Sequence, residues 1–156
     1  MYLGIDPGIR KLGYALVDED NNIVDAGILL YEKPKANRKQ SFERFVEIYN
    51  FFDELLKNFS VKNCGIEKLF FTKYNQANAE FVYWVRGLLI LLLMQNGVNY
   101  CEISPIELKK YITWNSKANK ELVKKYISWI FGLKDGIEYS DTADALGLAF
   151  VSKRLS

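Results

Sequence analysis

Four carboxylates in this sequence stand where an extended or helical segment begins or ends. Asp6 follows Leu3, Gly4 and Ile5, Glu67 follows Gly65 and Ile66, and Asp141 and Asp144 lie in the stretch Ser140, Asp141, Thr142, Ala143, Asp144. Acids three positions apart on a helix project from one face of one turn. Taken singly, each has an ordinary explanation. Asp-Pro-Gly makes a solvated turn, and a charged residue closing an apolar run can simply meet solvent. Acids in a first helical turn are favoured by the helix dipole, with Ser140 or Asp141 as the cap. Taken together they read differently. Pro7 and Gly8 oblige the chain to leave the sheet at Asp6, at the strand's C-terminal edge where ligands of such sheets collect. If all four acids converge there, they raise one another's pKa, and the cluster is costly unless cations share it. Two Mg²⁺ ions compensate about four negative charges, and Mg²⁺ prefers hard oxygen ligands. Two such ions about 4 Å apart suit in-line displacement at phosphorus, one preparing the attacking water and the other stabilising the leaving oxygen. Phosphodiester hydrolysis is the chemistry this set would perform.

The remaining composition narrows the choice. There is no histidine in the 156 residues, which excludes Ser/His and Cys/His nucleophile pairs and zinc sites built on imidazole. Any metal must be held mainly by oxygen. Cys64 and Cys101 fall in expected strands and read as unpaired core thiols of a reducing compartment.

The elements that must position the acids follow from periodicity. Residues 2–6 and 12–18 read as strands, and the polar turn Asp18 to Asn22 feeds a third strand from Ile23 to Tyr31. The segment Glu32 to Gln40 is polar and basic. After it, Phe42, Phe45, Val46, Tyr49, Phe52, Leu55, Leu56 and Phe59 recur at helical spacing. Lys62 to Leu69 is a fourth strand, followed through Thr72 to Gln76 by a long helix ending near Gly97. Val98 to Ile103 is a fifth strand. Ser104, Pro105 and Glu107 form a capping-box start for the next helix. Another helix is expected from about Ser116 to Phe131. A last one starts at Ser140, with Ala143, Leu146, Ala149 and Phe150 on one face. The fold class expected is α/β, a five-stranded mixed sheet flanked by helices in the manner of the ribonuclease H fold.

Bulk properties agree with one domain over residues 1–156. The chain is 49% hydrophobic and 26% charged, and its three prolines and ten glycines are scattered rather than gathered into a linker. The longest apolar run, Gly87 to Met94, is far shorter than the roughly 20 residues of a membrane span and reads as a buried helix. The start at Tyr2, Leu3 and Ile5 has no secretory pattern, so a cytoplasmic location without membrane contact is expected. The net charge of +2 does not announce a nucleic-acid binder. Positive residues gather locally, however, at Lys33, Lys35, Arg38 and Lys39, in a basic loop that either follows a phosphate backbone by charge attraction or is simply a solvated loop.

In order along the chain stand GIDPG at 4–8, GYAL at 13–16, GIEKLFF at 65–71, RGL at 86–88 and SDTADALGLA at 140–149. With these motifs the sequence resembles the RuvC family of Holliday junction resolvases over nearly its whole length. The resemblance implies a ribonuclease H-like domain in which Asp6, Glu67, Asp141 and Asp144 are the catalytic metal ligands for two Mg²⁺ ions, with Mn²⁺ accepted. It implies a homodimer that makes paired nicks in four-way DNA junctions during recombination and repair, with branch-migration proteins as further partners. It also implies DNA contacts at Lys109 and Lys120, where Lys110, Lys117, Lys124 and Lys125 crowd around them, and a stacking role near the junction centre for Phe70. Phe71 competes with Phe70 for that role. Lys68, beside Glu67, and Arg38 complete the expected DNA-binding set.

Other classes remain to be separated. A glycine-rich turn after a first strand also suits a sugar kinase or actin-like ATPase, but those resemble two linked domains and this chain carries no second half. A related nuclease acting on other branched DNA or structured RNA, and a junction-binding module without catalysis, are distinguished by cleavage assays.

Overall fold

The computed structural model describes residues 1–8, 11–30, 38–69, 76–138 and 140–156. Strands β1 (Tyr2–Asp6), β2 (Lys11–Val17) and β3 (Ile23–Leu30) make an antiparallel meander. Its second turn is held by the Asp18 carboxylate, which accepts the backbone N–H groups of Asp20 and Asn22 at 2.9 and 2.8 Å. Helix α1 (Arg38–Asn58) leads to β4 (Asn63–Glu67), and α2 (Gln76–Gln95) leads to β5 (Asn99–Ile103). Helices α3 (Pro105–Thr113), α4 (Lys120–Ile130) and α5 (Ser140–Arg154) follow. The sheet order is β3-β2-β1-β4-β5, with β4 parallel to β1 and β5 parallel to β4. This is the mixed, ribonuclease H-like α/β sheet that the pattern implies. No helix among the described residues is long and apolar enough to cross a membrane.

Strand alternation divides the sheet's two faces. Leu3, Ile5, Leu12, Tyr14, Leu16, Cys64 and Ile66 point to the side of α1 and α2 and pack on Ile48, Phe52, Val85 and Leu89. Tyr2, Ala15 and Val17 point to the other side and pack with Ile103, Leu108, Ile127, Ala145 and Leu148. By the same alternation Asp6, Gly13 and Glu67 belong to the second face, the side of α5.

Helix α5 lies directly on that face, because glycines leave room for its backbone. A Cβ on Gly4 would fall 1.9 Å from the carbonyl oxygen of Ala145, and one on Gly13 would fall 2.3 Å from that of Asp141. Gly13 is also the register partner of Asp6. The first turn of α5 is thus seated beside the end of β1. We expect Gly13→Ala to push that turn outward, cost about 1–3 kcal/mol as overpacking does, and lower catalytic activity together with stability. Urea melts and cleavage rates measure both, and an unchanged protein would show that α5 is not seated on Gly13.

Four segments differ from expectation. The last helix is not apolar on one face only. Ala143, Ala145, Leu146, Gly147, Leu148, Ala149, Val151 and Ser152 are all buried, because α5 is covered by the sheet on one side and by α3 and α4 on the other. The fourth helix begins at Lys120 rather than near Ser116. Asn119 caps it by accepting the Leu122 N–H at 2.8 Å, while the preceding residues are held in turns by Asn115, which accepts the N–H groups of Lys117 and Ala118. Arg38 and Lys39 open α1 rather than lying in a basic loop; their side chains, like Lys33 and Lys35, lie outside the described residues. The run Gly87 to Met94 is only half buried: Leu89, Leu92 and Leu93 are in the core, while Leu91 and Met94 are exposed. Arg86, just before it, is buried and paired with Glu102 of β5.

Candidate active site

Asp6 and Glu67 close two neighbouring parallel strands. Ile5 is the register partner of Ile66, so the two acids stand side by side at the C-terminal edge, on the same face. The seating of α5 brings Asp141 and Asp144 to them. All four line one cavity of about 410 Å³, together with Pro7, Lys109 of α3 and Lys120 of α4. The convergence that the sequence left conditional is therefore a feature of the fold.

Helices α3 and α4 supply the cations. The capping box expected at α3 is present: Ser104 Oγ accepts the Glu107 N–H at 3.1 Å, and Glu107 Oε2 accepts the Ser104 N–H at 2.7 Å. That fixes the start of α3 just past β5 and places Lys109 in its second turn. Lys120 is the first residue of α4. A lysine there runs against the helix dipole, a cost that the neighbouring acids offset.

The acids depend on their surroundings for their charge. Asp6 is only 7% exposed, and its carboxyl is held well above the usual carboxylate range, first by burial, then by the charge of Glu67 and a hydrogen bond with it, and then by Asp144 and Asp141. Asp144 is pushed up to about 7 by burial and by the charges of Glu67 and Asp141, while Lys120 and Lys109 draw it back down. Near neutral pH the cluster therefore holds protons where a cation would replace them.

The donor set fits a hard divalent cation, since it is entirely oxygen and carries an excess of negative charge. Among the described residues no three acids are already gathered around one point as coordination requires. Repulsion between unneutralised carboxylates opposes that gathering.

The other expected contact residues are distributed differently. Lys68 is exposed, does not line the cavity, and acts on Glu107 at the start of α3, whose carboxyl is lowered mainly by its hydrogen bonds to Ser104 and in smaller part by Lys68. Phe70 and Phe71 lie outside the described residues. Leu108 and Val123, which also line the cavity, have no chemical signature in the sequence; only their helical spacing beside Lys109 and Lys120 points to them.

The chain matches the family described as crossover junction endodeoxyribonuclease RuvC over residues 2–152. It is 38% identical to the crossover junction endodeoxyribonuclease RuvC of Brachyspira hyodysenteriae, covering 94% of this chain and 89% of that one. It is 35% identical to the protein of that description from Sulfurovum sp., covering 94% and 91%. Among solved structures, T. thermophilus RuvC in complex with a Holliday junction substrate superposes with a TM-score of 0.80 at 26% identity, over 96% of this chain and 90% of that chain. Matched over residues 2–152 and 38% identical to a relative along most of both chains, the chain belongs to the RuvC family of crossover junction endodeoxyribonucleases.

Proposed function

We propose that this protein is a metal-dependent, structure-selective endonuclease that resolves four-way DNA junctions by phosphodiester hydrolysis in recombination and repair. The observation that carries the reading is the convergence of Asp6, Glu67, Asp141 and Asp144 on one cavity with Lys109 and Lys120. Those four acids are the residues that would hold two Mg²⁺ ions, or Mn²⁺ in their place. The bound ions supply an activated water and charge compensation at the leaving oxygen. Lys109 and Lys120 hold the phosphate backbone at the cavity mouth, and α4 adds the positive end of its dipole beside Lys120. Buried Asp6 and half-buried Glu67, at the ends of β1 and β4, keep the reacting end of the cavity fixed to the sheet.

A single active site cuts one strand, and a junction of two-fold symmetry needs two. The protein therefore works as a homodimer of one-domain chains, residues 1–156, in the cytoplasm, and branch-migration proteins are its expected partners. Phe42 and Val46 of α1 and Leu91 and Met94 of α2 are exposed apolar side chains that suit such an interface.

The test is a cleavage assay on four-way junctions, flaps, structured RNA and plain duplex, with Mg²⁺ and with chelator. Symmetric nicks in the four-way junction, dependent on Mg²⁺, are expected. Preferential cutting of RNA or flaps would replace the substrate assignment, and binding without cutting would leave a junction-binding module. We also expect Lys109→Ala and Lys120→Ala each to weaken junction binding by up to about tenfold and to reduce the salt dependence by about one counterion. A salt slope identical to the wild-type one would remove that lysine from the DNA contact.

A further inference from the structure

Trp114 is 83% exposed, the most exposed of the large apolar side chains among the described residues. It is also held in a backbone conformation that suits glycine. Its φ of 59° and ψ of 12° place it in the left-handed region as the C-cap of α3, where a side chain with a Cβ is disfavoured.

This is not a frayed helix end. The Trp114 N–H donates to the Lys110 carbonyl at 2.9 Å. Thr113 Oγ1 donates to the Lys109 carbonyl at 2.8 Å and accepts the Asn115 N–H at 3.2 Å. Asn115 then accepts the N–H groups of Lys117 and Ala118, and Asn119 caps α4. These bonds hold the turn on both sides of Trp114, so it presents the indole to solvent in one backbone setting. Both ingredients are unfavourable for the isolated chain, one by backbone strain and one by the hydration of an indole. Such outliers persist where a function uses them.

The location says what the function is. Trp114 joins the two helices whose Lys109 and Lys120 line the carboxylate cavity. It lies within about 8 Å of Lys109 along the helix axis at 1.5 Å per residue. Lys110 and Lys117 flank it in sequence, so a strand whose phosphates these lysines neutralise passes the indole with its bases. We infer that Trp114 is a stacking contact for an unpaired base of branched DNA beside the cleaved strand, an assignment that rests on the nuclease reading above. An exposed indole flanked by lysines is the combination used to hold single-stranded nucleic acid, because every base offers a π-face. A fully paired duplex keeps its bases stacked and offers none.

The test compares wild type with Trp114→Gly and Trp114→Phe in chelator, so that no strand is cut. Affinities for a four-way junction and for plain duplex are measured with melting temperature and tryptophan fluorescence. Trp114→Gly is expected to weaken junction binding by about tenfold, with a smaller change on duplex. It should leave the melting temperature equal or raised, since glycine relieves the left-handed backbone. Trp114→Phe should keep most of the affinity but lose the fluorescence quenching that junction binding causes in the wild type. Unchanged junction affinity in Trp114→Gly overturns the contact. So does an equal loss on duplex and junction, which would make Trp114 a backbone contact, and so does a lowered melting temperature, which would make it structural. If wild type itself fails to bind the junction, the nuclease reading falls and the contact with it.

Discussion

Replacing Asp6 by Asn is expected to abolish Mg²⁺-dependent junction cleavage, by roughly a thousandfold or more, the scale of losing a group that acts at the reacting atoms. Asn has the same shape but no charge and one oxygen fewer to give a cation. Asp6 is the most enclosed of the four acids. It ends β1 at the position paired with Gly13, where both the sheet and the first turn of α5 fix it, so no neighbouring acid can move in to replace it. Junction binding should survive, because Lys109 and Lys120 are untouched and the cavity loses a charge that repels phosphate. Asp53→Asn serves as the control: Asp53 pairs with Lys57 on α1, away from the cavity, and its loss should leave cleavage intact. Single-turnover cleavage and gel-shift binding measure the two effects separately. An Asp6→Asn protein that still cuts at a wild-type rate would remove the carboxylate cluster from catalysis.

The reasons Asp6 could be read from sequence also show where such reading stops. Asp6 and Glu67 end strands whose two-residue alternation is local, so face and edge follow from the string of residues alone. Asp141 and Asp144 are different. Their approach to Asp6 depends on α5 being seated on Gly4 and Gly13, a contact across more than a hundred residues that helical spacing does not carry. For the same reason α5 reads as a helix with one apolar face: Ala143, Leu146 and Ala149 show the period, while burial of Gly147 under α3 and α4 and of Ser152, whose carbonyl accepts the Asn63 side-chain N–H from β4, shows only once the layers are assembled. The start of α4 is set by side-chain bonds of Asn115 and Asn119, which compete with helical pairing, so spacing alone places it too early. The exposure of Leu91 and Met94 likewise reflects which neighbours α2 has, and the pairing of Arg86 with Glu102 joins two elements that no motif connects. Local chemistry was legible; the contacts between layers were not.

The second large effect concerns stability rather than rate. Asp144 titrates at about 7 in the folded protein instead of its ordinary 3.8, from burial and the charges of Glu67 and Asp141. Its folded pKa lies above its unfolded one. Between about pH 4 and pH 7 the folded state therefore binds more protons than the unfolded state, and stability falls as pH rises through that window. Above pH 7 the full penalty is present; below pH 4 it is absent. Three pKa units correspond to on the order of 4 kcal/mol. The metal-free wild type should thus melt at a clearly lower temperature at pH 8 than at pH 6, and Asp144→Asn should remove much of that difference by raising the pH 8 value. Millimolar Mg²⁺ should raise the wild-type melting temperature most at pH 8, where the carboxylates are charged and bind it best, and should raise the variant less. Asp6 contributes in the same direction, so Asp6→Asn in chelator should also be stabilised at pH 8. Thermal melts across pH 4–8, with chelator and with Mg²⁺, resolve all of this. A wild type and an Asp144→Asn variant with parallel pH profiles would mean that the buried acids do not repel one another, and would take away the physical reason for a cation between them.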